Sequence, residues 1–143
     1  MRIAITPLII AAAMALSSCA PQNIAATPAP LTAKNAKLVE KLLKGKVAGK
    51  AVSCISNFRN QTALRISDDA LLYRDGPNLV YRNQLRSSCP GLADDDDILV
   101  IRSFNAHHCT GDLIQLVDRY SGIPGPTCVL GDFIPYKSAK TQS

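Results

Sequence analysis

The chain reads as mainly β: a small antiparallel barrel or sandwich with one short N-terminal helix and two disulfides. Three observations predict this class. From Val52 onward, short runs of strand-forming residues alternate with clusters of Gly, Pro, Asp and Ser. Between Thr32 and Gly45 the apolar residues instead recur at helical spacing. Cys54, Cys89, Cys109 and Cys128 all lie in the strand-rich part, an even set that suits two bridges. Six or seven strands of this length are enough for one packed core.

Taken in order, residues 1–18 hold a cation at Arg2, an apolar stretch and small residues at its end, which is the grammar of a signal peptide. Residues 19–31 contain prolines and no charge, as a semi-extended tether would. Thr32 then reads as an N-cap, Leu38, Val39, Leu42 and Leu43 as one face, and Gly45 as a C-cap glycine. The expectation is a helix of about three turns inside a basic helix-and-linker segment, 32–50, with leucines on the domain and lysines in solvent.

Strands are expected at 52–55, 64–66 and 71–74, and Asp75-Gly76-Pro77-Asn78 turns the last of these into a hairpin with 79–84. By the two-residue period Leu71 and Tyr73 share a face, as do Leu79 and Tyr81. Residues 87–92 open a loop that continues through Asp94, Asp95, Asp96 and Asp97 to a buried strand at 98–101. Leu113, Leu116, Val117 and Tyr120 fit a helix, whereas Leu113, Gln115 and Val117 fit a strand. The strand is favoured, because the turn residues at 121–126 leave no length for a helix. Residues 127–134 close the β domain, 51–135, as one last strand. Gly131 marks a bulge or close approach there, Pro135 ends the strand, and 136–143 form a polar tail.

Leu16-Ser17-Ser18-Cys19 resembles the lipobox of bacterial lipoproteins, in which cleavage before the Cys is followed by its acylation. On that likeness Cys19 carries lipid and the protein is held in the cell envelope. Ala20, where an acidic residue would retain a lipoprotein in the inner membrane, fits outer-membrane sorting toward the periplasm. The four remaining cysteines then pair in an oxidising compartment. Three pairings are possible, and Cys54 with Cys128 and Cys89 with Cys109 is favoured, as a closure of first and last strands. The net charge of +5 is concentrated before the β domain: six lysines stand against Glu40 in 32–50, while 51–143 has nine cations and ten aspartates. Lys34, Lys37, Lys41 and Lys44 would therefore lie close to anionic lipid. A nearly neutral β domain without Trp offers no groove for nucleic acid.

Four stretches carry a wider resemblance. The run from Gly45 through Val52-Ser53-Cys54-Ile55-Ser56 is the first, and Ile66-Ser67-Asp68-Asp69 the second. Tyr81-Arg82-Asn83-Gln84-Leu85 leading to Cys89-Pro90-Gly91-Leu92 is the third, and Cys128-Val129-Leu130-Gly131-Asp132-Phe133-Ile134-Pro135 the fourth. Together they resemble an uncharacterised family of small exported or lipidated proteins of Gram-negative bacteria, over roughly residues 43–135. The likeness implies paired cysteines and these domain limits, and it implies no activity.

His107, His108 and Asp112, beside Cys109, are the weak metal candidates, and a metal-assisted hydrolase is the reading they would support. Adjacent strand residues point to opposite faces, however, which makes a shared ion awkward. The four aspartates lack the alternating spacers of a calcium loop. There is no Gly-x-Ser-x-Gly, and no thiolate if the cysteines pair. Without catalytic residues or a cofactor, the expectation is a non-enzymatic module that binds an envelope protein or cell-wall component. An inhibitor of a cell-wall-degrading enzyme is the more specific alternative.

Overall fold

In the computed structural model, which describes residues 30–57, 63–94, 96–103 and 106–139, Thr32 opens a helix, α1 (Ala33–Leu43). Its hydroxyl accepts the Asn35 amide at 3.2 Å, so the expected N-cap is formed. At the other end the Lys44 amide reaches Glu40, Lys46 Nζ donates to the Leu42 carbonyl at 2.7 Å, and Gly45 turns the chain with a φ of +70°. Residues 1–18, read as a signal peptide, Cys19, most of the stretch read as a tether, and Asp95 lie outside the described residues.

Among the described residues ten strands follow: β1 (Lys46–Ala48), β2 (Cys54–Ser56), β3 (Ala63–Ser67), β4 (Ala70–Asp75), β5 (Leu79–Gln84), β6 (Ile98–Arg102), β7 (His107–Cys109), β8 (Leu113–Val117), β9 (Pro124–Val129) and β10 (Phe133–Ser138). They form three antiparallel sheets, of order β1-β10-β5-β4-β3, β6-β8-β9 and β2-β7. None closes on itself, so the architecture is a sandwich and not a barrel.

The large sheet is the middle layer, because β4 is apolar on both faces. Ala70 and Leu72 point one way, with Ile66 and Val80, and take Val39, Leu42 and Leu43 of α1. Leu71 and Tyr73 point the other way, into a core shared with Ile114 and Leu116 of β8, Cys128, Leu130 and Phe133. Helix, large sheet and small sheet are thus stacked in that order. Asn35, buried in the helix interface, donates to the Ile66 carbonyl at 3.0 Å and fixes the helix on the sheet.

Several expectations change. The disulfides join Cys54 to Cys109 and Cys89 to Cys128, not Cys54 to Cys128 and Cys89 to Cys109. Cys54 and Cys109 are direct cross-strand neighbours of β2 and β7, and Cys128 points from β9 into the core, where Cys89 lies. Closure of the first and last strands needs no bridge, since β1 pairs with β10 through the backbone. The single last strand is two strands, β9 and β10, in different sheets. The crossing between them falls at Gly131, where an added Cβ would run into the Gln84 carbonyl oxygen, as a close approach of backbones requires.

Pro135 does not end β10. Its carbonyl accepts Gly49 at 2.7 Å, so its missing N–H faces the side on which β1 has given out after Ala48. Residues 46–48, read as linker, and 136–138, read as tail, consequently pair as an edge ladder. The strand near residue 100 exists but is not buried: Ile98, Val100 and Arg102 are exposed along an edge.

Candidate functional site

Sheet pairing decides where the suspected metal residues go. In the β2-β7 ribbon Ile55 faces His108 and Ser56 faces His107. Strand alternation sends His107 to the surface and buries His108. The His108 ring lies 5.7 Å from that of Tyr73, whose other neighbour is Phe133 at 5.6 Å, edge-on. Ser103 Oγ is 2.8 Å from His108 Nδ1. Burial pushes the imidazole pKa down, against a smaller upward pull from the Asp112 carboxylate. Burial, with Asp112 again, pushes the Tyr73 phenol up. Its hydroxyl has no hydrogen-bond partner among the described residues.

The chemistry of this cluster is limited by its bonds. Asp112 accepts the Cys109 amide at 2.8 Å, which caps the turn after β7. Ser103, His108 and Asp112 are neighbours, yet a nucleophile–base–carboxylate relay needs the imidazole bonded on both sides. A bond from Asp112 to His108 is not seen among the described residues. Those residues also contain no group of three His, Cys, Asp or Glu placed to hold a metal.

The aspartate loop is tied to the sandwich from two sides. Arg65 donates through both terminal nitrogens to the Asp94 and Asp97 carbonyls at 2.6 Å each, and Arg119 Nε reaches the Asp96 carbonyl at 3.1 Å. Asp68 accepts the Ala93 amide at 3.0 Å. Asp94 and Asp96 are exposed on this braced loop. Lys34, Lys37 and Lys41 are exposed on α1 and Lys44 at its C-cap, as expected of the polar face of a docked helix. Between helix and loop, Lys34, Leu38, Arg65 and Arg119 border an open cavity of about 340 Å³.

A surface that the sequence reading missed lies on the small sheet and its β8–β9 turn. In β8, Ile114 and Leu116 fill the core, so Leu113, Gln115 and Val117 face outward. Ile98 is opposite Val117, Val100 opposite Gln115, and Leu113 opposite Val129, giving an outer face of apolar residues interrupted by Arg102, Gln115 and Thr127. At the Ile98 end the β8–β9 turn is locked by Asp118. One carboxylate oxygen accepts the Tyr120 amide at 3.0 Å, the Ser121 amide at 2.6 Å and the Ser121 hydroxyl at 2.8 Å. The Ser121 amide and hydroxyl hold the Asp118 pKa below the ordinary carboxylate value, with Tyr120 adding to them. Tyr120 and Ile123 project from this turn, 92% and 65% exposed.

The legible signal was Asp118 followed by Ser121-Gly122, a side chain able to cap its own turn. What the alternation of β8 could not reveal is which of its faces stays uncovered. Chemically the surface is a braced aromatic and aliphatic tip next to a partly apolar sheet face, suited to docking.

No curated protein and no solved structure matches this chain. A family model does, over residues 1–139, a span that takes in both disulfides, the His108 cluster and the exposed turn. By that match the chain belongs to DUF6491, a family of unknown function.

Proposed function

We propose that the protein is an envelope lipoprotein of a Gram-negative bacterium, cut before Cys19, acylated there, and working by binding and not by catalysis. The observation that carries the binding part is the Tyr120–Ile123 turn: two large apolar side chains held out by an Asp118-braced backbone. Presenting them costs conformational freedom only once, in folding, so a partner meets a preorganised tip. The compartment is supported by the pairing of all four described cysteines, which suits the periplasm and not the cytosol. Acylated Cys19 would anchor the chain in the outer membrane, with the exposed lysines of α1 each adding about 1 kcal/mol against anionic headgroups.

The test has two arms. Intact mass of the membrane fraction should show an acylated chain starting at Cys19, and Cys19→Ser should release it; a soluble mature form with free Cys19 sinks the anchor. A photo-crosslinker at position 120 should give one discrete adduct in envelopes, lost when Ile123 is changed to Ser. No adduct, together with turnover of a cell-wall or ester substrate by the pure protein, sinks the binding reading.

A second reading, an inhibitor of a cell-wall-degrading enzyme, is favoured by one observation. Asp94 and Asp96 sit on a loop braced by Arg65 and Arg119, which would set an acidic prong against a basic enzyme. Inhibition of a lysozyme that weakens in Asp94→Asn/Asp96→Asn would establish it.

A further inference from the structure

The two edges of the small sheet are unlike. The β9 edge carries Pro124, Gly125 and Pro126, residues that discourage another strand. The β6 edge, Ile98–Arg102, has neither Pro nor Lys, and β8 is the strand it pairs with. Leu99 and Ile101 point into the core, as Ile114 and Leu116 do. On central β8 those two are fully buried, whereas on β6 Leu99 and Ile101 are only partly so. Ile98 and Val100, on the outer side, are 44% and 36% exposed. An edge of this kind is a template for a further strand.

We propose that the further strand is β6 of a second copy of this chain, added antiparallel and centred on Val100. The strand is self-complementary in that register. Val100 meets its own counterpart, Leu99 meets Ile101, and Ile98 meets Arg102, whose aliphatic stem covers it. Charge points the same way: Asp96 and Asp97 precede the strand and Arg102 ends it. Reversing the second copy sets each Arg102 opposite the other's Ile98, toward the end of the strand that Asp96 and Asp97 lead into. A parallel or register-shifted copy would lose that match. Arg102 reaches Gln115 Oε1 at 3.2 Å in the single chain, a solvent-exposed bond it can exchange for a carboxylate. The product is a continuous sheet in the order β9-β8-β6-β6-β8-β9, with both proline-bearing edges outermost, which stops the assembly at two copies.

This goes beyond the binding reading and does not depend on Cys19 or on the Tyr120 turn, so either can fail without the other. The experiment uses the purified full chain. Val100→Cys should form an intermolecular disulfide under mild oxidation, mapped to 100–100 by peptide mass. Ile98→Cys and Arg102→Cys should each stay uncrosslinked alone and crosslink when mixed. Leu113→Cys, exposed on the same face but on the central strand, should not crosslink. Val100→Lys should convert a dimer to a monomer in sedimentation equilibrium while leaving the melting temperature of the monomer in place. A wild-type monomer at the highest soluble concentration overturns the proposal. So does Leu113→Cys crosslinking as fast as Val100→Cys.

Discussion

Gly131 and Asn83 form a tight passage in the fold. The Asn83 side chain, fully buried on β5, donates to the Gly131 carbonyl at 2.7 Å and accepts its amide at 3.2 Å. These bonds satisfy backbone groups that neither sheet can pair at the crossing from β9 to β10. Gly131→Ala should cost about 3 kcal/mol or more, because its Cβ meets backbone and not a movable side chain; urea unfolding measures it. The glycine was legible as a close approach, since Gly in a strand pattern has few other uses. Asn83 was not, because a polar residue in an alternating strand reads as solvent-facing until the opposite surface is known. His108 gives a second prediction. Its folded pKa lies below the ordinary 6.5, so in the interval between the two values the unfolded chain binds more protons. Stability should therefore be level above about pH 6.5 and fall below it, by no more than about 1.4 kcal/mol per pH unit for one proton. Thermal melts from pH 7.5 downward test this, and His108→Gln, which keeps a partner for Ser103, should flatten that part of the curve.

Among the elements, α1 was the most legible, cap to cap, because three independent signals agree: Thr32, the leucine stripe and Gly45. Its attachment was not legible. Asn35 occupies a helical position that period alone would assign to the first turn, and its bond to Ile66 depends on β3 lying beneath it. Thr32→Ala should destabilise the fold by about 1 kcal/mol through the lost cap. Asn35→Ala should cost about 1–3 kcal/mol, because the Ile66 carbonyl is left unpaired. Chemical denaturation of the two single variants and the double variant would show near-additive losses if the cap and the anchor act separately. The strands divide in the same way. The β4–β5 hairpin followed from its turn residues, whereas the burial of both β4 faces could not be read from a period of two. That burial needs a helix layer on one side and a second sheet on the other. The β9–β10 division escaped notice because both strands are short and apolar in one run, and the extension past Pro135 because its carbonyl still pairs with Gly49 although its nitrogen cannot donate.

At the scale of the whole molecule the two disulfides differ in access. Cys54 is exposed and Cys109 half-buried at the rim of the β2-β7 ribbon, while Cys89 and Cys128 are enclosed in the core. By the chain-entropy argument each closes a long enough loop, 55 and 39 residues, to contribute about 4 kcal/mol before any native-state cost. A graded reductant should open Cys54–Cys109 first. Alkylation and peptide mass at intermediate doses should find labelled Cys54 and Cys109 with Cys89 and Cys128 still joined; simultaneous labelling would show that access does not govern the order. Participation of all four cysteines was legible from their number, but their partners were not, since pairing follows sheet membership. The rim bridge also has a mechanical meaning. A pull applied to the chain ahead of α1 can peel the helix and then unzip β1 from β10, but it is arrested at Cys54, which is bolted to Cys109. The slack so released is residues 30–53, about 80 Å when taut. Single-molecule stretching should record that contour length as a hard stop, and reducing the bridge should remove it.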